Sequence, residues 1–199
     1  LSTLESRIEA DRKTRLFFIN AHCFNIAQKK KIYADRINEA EFVLNDGIGM
    51  KLGAKALGIN FAENLNGTDF IPKLLEQAAD RGYRVFLLGG MAKVAESAGN
   101  NMQERLPNLR IAGYSDGYLD DSAAKIAEIN ATHPDILIVG MGVPLQECWI
   151  SDYWDELSVK LVAGVGAYLD FESGRVPRAP HWMQALRSEW IFRLLIEPR

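Results

Sequence analysis

Short apolar runs alternate with longer amphipathic stretches along almost the whole chain. The runs lie at Leu16 to Ile19, Phe42 to Leu44, Arg84 to Leu88, Leu109 to Ala112, Ile136 to Met141 and Leu161 to Val165. They have strand length, and several are apolar on both faces, as strands of a helix-covered parallel sheet are. Helical stretches are predicted at 22–39, 48–57, 68–81, 91–105, 121–132, 145–157 and 181–196. Strand followed by helix, repeated in this way, implies right-handed crossovers and a parallel sheet. The expectation is an α/β, Rossmann-like parallel sheet flanked by helices, with residues 1–199 forming a single compact domain.

Local punctuation agrees with this division. Gly82 stops the helix that ends at Arg81, Thr68 or Asp69 is expected to cap the helix beginning near Phe70, and Asp120, Asp121 and Ser122 open the helix that follows. No internal repeat, low-complexity tract or linker interrupts the pattern.

Composition narrows the picture. Of the 199 residues, 48% are apolar and 25% charged, an ordinary globular balance that needs no disulfide or metal to hold a core. The net charge of −3 argues against a dedicated nucleic-acid binder. Cys23 and Cys148 stand far apart and read as a reduced, unpaired pair of a cytosolic protein. No apolar run nears the ~20 residues that span a bilayer, and no signal peptide opens the chain. The start at Leu1 without Met reads as a trimmed terminus.

Ligands of open parallel sheets bind beyond the carboxyl ends of the strands, so the residues that follow each apolar run carry the candidate chemistry. They are Asn20, Ala21 and His22; Asn45, Asp46, Gly47 and Gly49; Gly89 and Gly90; Gly140, Gly142, Pro144 and Gln146; and Gly164, Gly166 and Asp170. Glycine lets backbone N–H groups approach a phosphate or sugar, and a following helix adds its own free N–H groups. Single glycine pairs can be plain strand-to-helix turns. Five such ends on one edge favour a nucleotide or nucleotide-sugar pocket, which by itself defines only an α/β ligand-binding protein. Gly140 to Pro144 lacks the third glycine and ribose acid of a dinucleotide fingerprint, which disfavours a dehydrogenase. No Walker-type lysine loop and no Gly-x-Ser-x-Gly elbow occur, and His22, His133 and His181 have no metal spacing.

Read in order, these strand ends resemble the WecG/TagA/CpsF family of bacterial glycosyltransferases. The resemblance runs through Asn20-Ala21-His22, Ala27-Gln28, Asn45 to Gly49, Asn66 to Asp69, Val85 to Gly90, Gly113 and Asp116-Gly117-Tyr118. It continues through Gly140 to Glu147 with Trp149-Ile150, then Gly164 to Gly166, Asp170, Gly174, Val176, Arg178 to Pro180, Glu189-Trp190, Arg193-Leu194 and Glu197-Pro198. It covers about residues 16–199. It implies a Rossmann-like fold and an inverting, metal-independent transfer of a hexose-type sugar from UDP to a polyprenyl-diphosphate-linked saccharide, in cell-surface polysaccharide synthesis. The implied partners are the UDP-sugar, which is substrate and not cofactor, the lipid-linked acceptor and the membrane surface; a homo-oligomer is open. The implied place is the cytoplasmic face of the bacterial plasma membrane. A non-catalytic nucleotide-binding α/β domain is the competing reading.

Roles follow from chemistry and resemblance together. An inverting transfer needs one carboxylate to take the acceptor proton, and Asp46 matches the family's proposed base; an Asx turn or helix cap before Gly47 is the plainer reading. Asn20 would bond sugar hydroxyls or orient Asp46, or simply form the turn. Gln146 would donate to the diphosphate or the donor sugar, stabilising charge that a metal otherwise meets. Tyr118 and Asp170 suit the uridine, by stacking and by accepting from it, and Asn66 and Thr68 the acceptor or sugar side. Gly89, Gly90, Gly140, Gly142, Pro144, Gly164 and Gly166 would form the backbone cradle.

Four positions depart from the family pattern: Asn64 replaces a common Arg, Phe18-Ile19 a Thr-Pro, and Leu145 a Lys. A lost arginine removes a cation for carboxylate or phosphate, which bears on sugar identity. From Gly174 to Arg199 five arginines face two glutamates, a local +3. Trp182, Leu186, Trp190 and Leu194 recur there at helical spacing. A basic amphipathic helix suits an anionic membrane, though the same apolar residues can pack on the domain. Family members continue past the Glu-Pro with a basic, membrane-contacting appendage, expected here to be truncated after residue 199.

Overall fold

The inner strands are apolar at consecutive positions because each faces two layers of helices. In β3 (Arg84–Gly89), Val85 and Leu87 point to one face while Phe86 and Leu88 point to the other. In β5 (Ile136–Gly140), Ile136 and Ile138 oppose Leu137 and Val139 in the same way. All eight side chains are essentially inaccessible. Burying one such side chain contributes about 1.5–3 kcal/mol, so this two-sided core is what fixes the sheet.

The computed structural model describes residues 1–61, 63, 65–118 and 121–177. Six parallel strands form one sheet in the order β2-β1-β6-β5-β3-β4, where β1 is Thr14–Ile19, β2 Phe42–Asn45, β4 Arg110–Ser115 and β6 Leu161–Gly164. One face is covered by α1 (Ser2–Glu9), α5 (Gly67–Arg81), α6 (Val94–Arg105) and α9 (Tyr168–Glu172). The other is covered by α2 (Ala21–Lys29), α3 (Lys31–Asn38), α7 (Ser122–Ala131) and α8 (Leu145–Asp152). The helix α4 (Ile48–Ala56) stands apart, with Ala54 its one buried residue. The α/β, Rossmann-like expectation is met.

Several boundaries differ from the pattern-based expectation. The stretch 22–39 is two helices, broken at Lys30, whose backbone is extended (φ −126, ψ 95). On an unbroken helix Tyr33 would point roughly 80° away from Cys23 at 100° per residue; the break lets both reach the core. Helix α1 was not anticipated, because only Leu4 and Ile8 on it are buried. The fourth strand runs to Ser115, and α8 ends at Asp152. Asn66, and neither Thr68 nor Asp69, caps α5, accepting from Asp69 N at 2.8 Å. Gly82 ends that helix at φ +69, and Asp121 caps α7 by accepting from Ala124 N at 2.9 Å. Both cysteines are free thiols. The predicted helix at 181–196, the basic amphipathic segment, Asp120 and Asn64 lie outside the described residues. Among the described residues, no helix is long and apolar enough to cross a membrane.

Candidate functional site

Because every strand runs the same way, the carboxyl ends share one edge, and the ladder registers fix their order. Asn45 pairs with Ile19, Phe17 and Val139 both pair with Gly164, Gly140 pairs with Gly89, and Leu88 pairs with Ser115. Strand spacing of about 4.8 Å puts roughly 19 Å between the ends of β2 and β3. The helices leaving β1 and β5 go to one face and those leaving β6 and β3 to the other. Such reversals open crevices at the carboxyl edge. A surface depression bounded by Asp80, Gly82, Pro107 and Arg110 lies at the amino ends of β3 and β4, away from this chemistry.

Glycines make the middle of the edge bare backbone. A Cβ on Gly89 (φ +147) would stand 2.3 Å from the Gly140 carbonyl oxygen, and one on Gly117 would meet Gly89 Cα at 3.2 Å. The loops are laced by hydrogen bonds from Gly90 N to Gly140 O (3.0 Å) and from Gly117 N to Gly90 O (2.9 Å). Gly142 (φ +79) and Gly166 (φ +58) have open space where a Cβ would lie. Pro144, joined to Val143 by a cis bond, is the N-cap of α8 and offers no side-chain cap; Gln146 N donates to Gly142 O at 3.0 Å, and the positive end of the helix dipole lies at this edge. Tyr118 follows Gly117 with its ring 53% exposed, beside the glycine pair that ends β3.

Gln146 sits beneath this surface and not on it. It is 2% exposed; its Oε1 accepts from Gly166 N at 2.9 Å and its Nε2 donates to Glu147 Oε1 at 2.7 Å. The amide is thus bonded at both ends and holds the Gly164–Gly166 loop from beneath. Gly164 packs closely there: an added Cβ would lie 3.1 Å from Gln146 Nε2 and 3.2 Å from the Phe17 ring. Glu147 is inaccessible to solvent, and its second oxygen is buried with no partner among the described residues. Burial pushes its carboxyl up to about 7 against an ordinary 4.5, although the bond from Gln146 pulls the other way. Tyr33, whose phenol is raised by burial and by Glu147, and Cys23, raised by burial, share this interior.

At the other end of the edge, Asp46 N donates to Ile19 O at 2.8 Å, tying the first residue past β2 to the end of β1. The side chain of Asp46 is half-buried and electrostatically coupled to Cys23. Asp46 stands about two strand spacings, roughly 10 Å, from β6, where Gly164 rests on Gln146. Asn20 caps α2, its Oδ1 accepting from Cys23 N at 3.0 Å, which leaves its amide N–H groups as what it can offer a ligand. In the α5 cap Thr68 Oγ1 donates to Asn66 Oδ1 at 3.0 Å, and Asn66 is bonded in turn to Asp69. Asp170 accepts from Arg175 Nη1 at 2.7 Å, so its carboxylate is ion-paired. Sequence reasoning named Glu147 only as part of a motif and gave it no role; an acid in the first turn of a helix, as in Pro-Leu-Gln-Glu, reads as a helix-dipole carboxylate.

Over residues 1–199 the chain matches the glycosyl transferase WecG/TagA/CpsF family. It belongs to that family. Curated relatives agree with this WecG/TagA/CpsF assignment. An N-acetylglucosaminyldiphosphoundecaprenol N-acetyl-beta-D-mannosaminyltransferase of Bacillus subtilis (strain 168) is 33% identical over 180 residues, 90% of this chain and 70% of the relative. Proteins of the same description in Staphylococcus aureus (strain MRSA252) and Bacillus spizizenii (strain ATCC 23059 / NRRL B-14472 / W23) are each 33% identical. They align over 94% of this chain and 75% of the relative, and over 86% and 67%, respectively. The protein is thus a glycosyltransferase of the WecG/TagA/CpsF family.

Proposed function

We propose that this glycosyltransferase moves an N-acetylhexosamine-type sugar from UDP onto a sugar linked through diphosphate to a polyprenol, with inversion at the anomeric carbon. The carrying observation is the registered row of strand ends: a carboxylate, Asp46, at one end and a bare glycine backbone beside the exposed Tyr118 at the other. The relatives' shared description supplies N-acetylmannosamine as the first donor to try.

In the proposed reaction the acceptor hydroxyl oxygen forms a bond to C1 of the donor sugar as the bond from C1 to the UDP oxygen breaks. Asp46 takes the hydroxyl proton, and UDP leaves with the bonding electron pair. The side-chain-free glycine loops let the diphosphate approach closely, and the positive end of the α8 dipole meets the charge growing on it. That role asks nothing of a metal. Tyr118 stacks on uracil, and Asn20 orients the reacting sugar.

Thermal-shift measurements against UDP, ADP, NAD and UDP-N-acetylmannosamine test the nucleotide, since a ligand of the folded state raises the melting point. Product analysis by NMR with excess chelator tests linkage and metal independence. Stabilisation by UDP and a β-linked product are expected; stabilisation by NAD alone, or a retained anomer, would reject the proposal.

A further inference from the structure

Helix α4 is amphipathic in the reverse of the usual sense. It starts two residues after Asp46, turns Ala54 inward, and presents Ile48 and Leu52, one turn apart, to solvent. The chain that follows adds exposed Leu57 and Ile59; Leu52 is 60% exposed and Leu57 77%. Lys51 and Lys55 flank the apolar stripe on one side, and from Gly47 to Phe61 there is no acidic residue in a chain whose net charge is −3. Gly49 packs on Ala21, where an added Cβ would meet Ala21 Cβ at 3.2 Å, so α4 abuts the start of α2. One turn along α2 stands exposed Phe24, and that helix runs into the exposed lysines 29, 30 and 31.

Scattered exposed apolar residues are ordinary, but a contiguous apolar stripe bordered by lysines beside a catalytic strand end is not. We propose that this face of α4 and the loop after it lies on an anionic bilayer surface and sets Asp46 against it. The proposal rests on the functional reading above and deepens it. An acceptor joined to a lipid by only a diphosphate cannot stray far from the bilayer, so the base that meets it must sit close to the surface that touches lipid. Charge selects the bilayer over a second copy of the chain: an isologous contact would bring Lys51 and Lys55 of the two copies together, whereas anionic headgroups complement them. Leu and Ile entering the headgroup boundary, with lysines at the rim, is how interfacial helices bind.

Co-sedimentation with vesicles of phosphatidylcholine alone and with added phosphatidylglycerol measures this directly. The 199-residue protein is expected to bind only the anionic vesicles. Leu52→Glu/Leu57→Glu should weaken that binding at least tenfold, and Lys51→Gln/Lys55→Gln about 30-fold, at roughly fivefold per lysine. Both variants should keep the wild-type melting point and wild-type transfer to a water-soluble short-prenyl acceptor, while losing transfer to acceptor embedded in vesicles. Unchanged vesicle binding in both variants would overturn the proposal. So would a wild-type dimer that the leucine variant dissociates with no change in vesicle binding. Absence of transfer to the soluble acceptor in wild type would reject the enzymatic reading instead, with the vesicle result still deciding the surface.

Discussion

Replacing Glu147 with Gln isolates the energetic cost of an acid held in the interior. The carboxyl is inaccessible, accepts one bond from Gln146 Nε2 at 2.7 Å, and has a second oxygen with no partner among the described residues. Its folded value of about 7 against an ordinary 4.5 corresponds, at about 1.36 kcal/mol per unit, to roughly 3 kcal/mol. The sign follows from which state holds the proton. Below about 4.5 both states are protonated and the group's stabilising share is fully present; it falls as pH rises toward 7 and is lost above that. Glutamine keeps an acceptor for the Gln146 amide but has no proton to lose. The variant should therefore exceed wild type by under about 1 kcal/mol near pH 5 and by up to about 3 kcal/mol near pH 8. That is about 6–12 °C in melting point for a chain of this size. Urea midpoints of the two proteins across pH 5 to 8 measure the difference, and groups elsewhere that titrate cancel in the comparison. Parallel stability curves would refute the reasoning, as they would mean that Glu147 titrates near its ordinary value in the folded protein.

Four further substitutions probe the edge. Gly89→Ala sets a Cβ 2.3 Å from the Gly140 carbonyl at φ +147 and should cost about 3 kcal/mol or more, whereas Gly142→Ala, with open space at φ +79, should cost about 1–2; urea midpoints check both. Gln146→Leu strips the partner from Gly166 N and from Glu147 Oε1, and should weaken UDP binding by calorimetry on the order of tenfold, 1.4 kcal/mol. Tyr118→Ala should lower UDP affinity by about 1–3 kcal/mol if its exposed ring stacks on the base; unchanged affinity would move the uracil elsewhere.

The sheet was legible because its strands are buried on both faces, and runs such as Ile136 to Val139 have no polar position to obscure them. The edge was legible because glycine and amide residues ended those runs. Side-chain direction was not. Gln146 and Glu147 are adjacent polar residues at a helix start, which ordinarily face solvent, and only the closeness of β6 and Tyr33 encloses them. Asn20 and Asn66 could be read as caps or as ligand contacts, and capping consumes the side-chain oxygen of each. The break at Lys30 was hidden because three consecutive lysines carry no glycine or proline signal; it answers to the phase at which Cys23 and Tyr33 meet the core.

Single-turnover transfer from UDP-N-acetylmannosamine to a short-prenyl N-acetylglucosaminyl diphosphate, comparing wild type with Asp46→Asn, bears most directly on the central claim. The account predicts a fall of about 10²–10⁴-fold in the chemical step with UDP affinity unaltered. Transfer at the wild-type rate by the asparagine variant would contradict it.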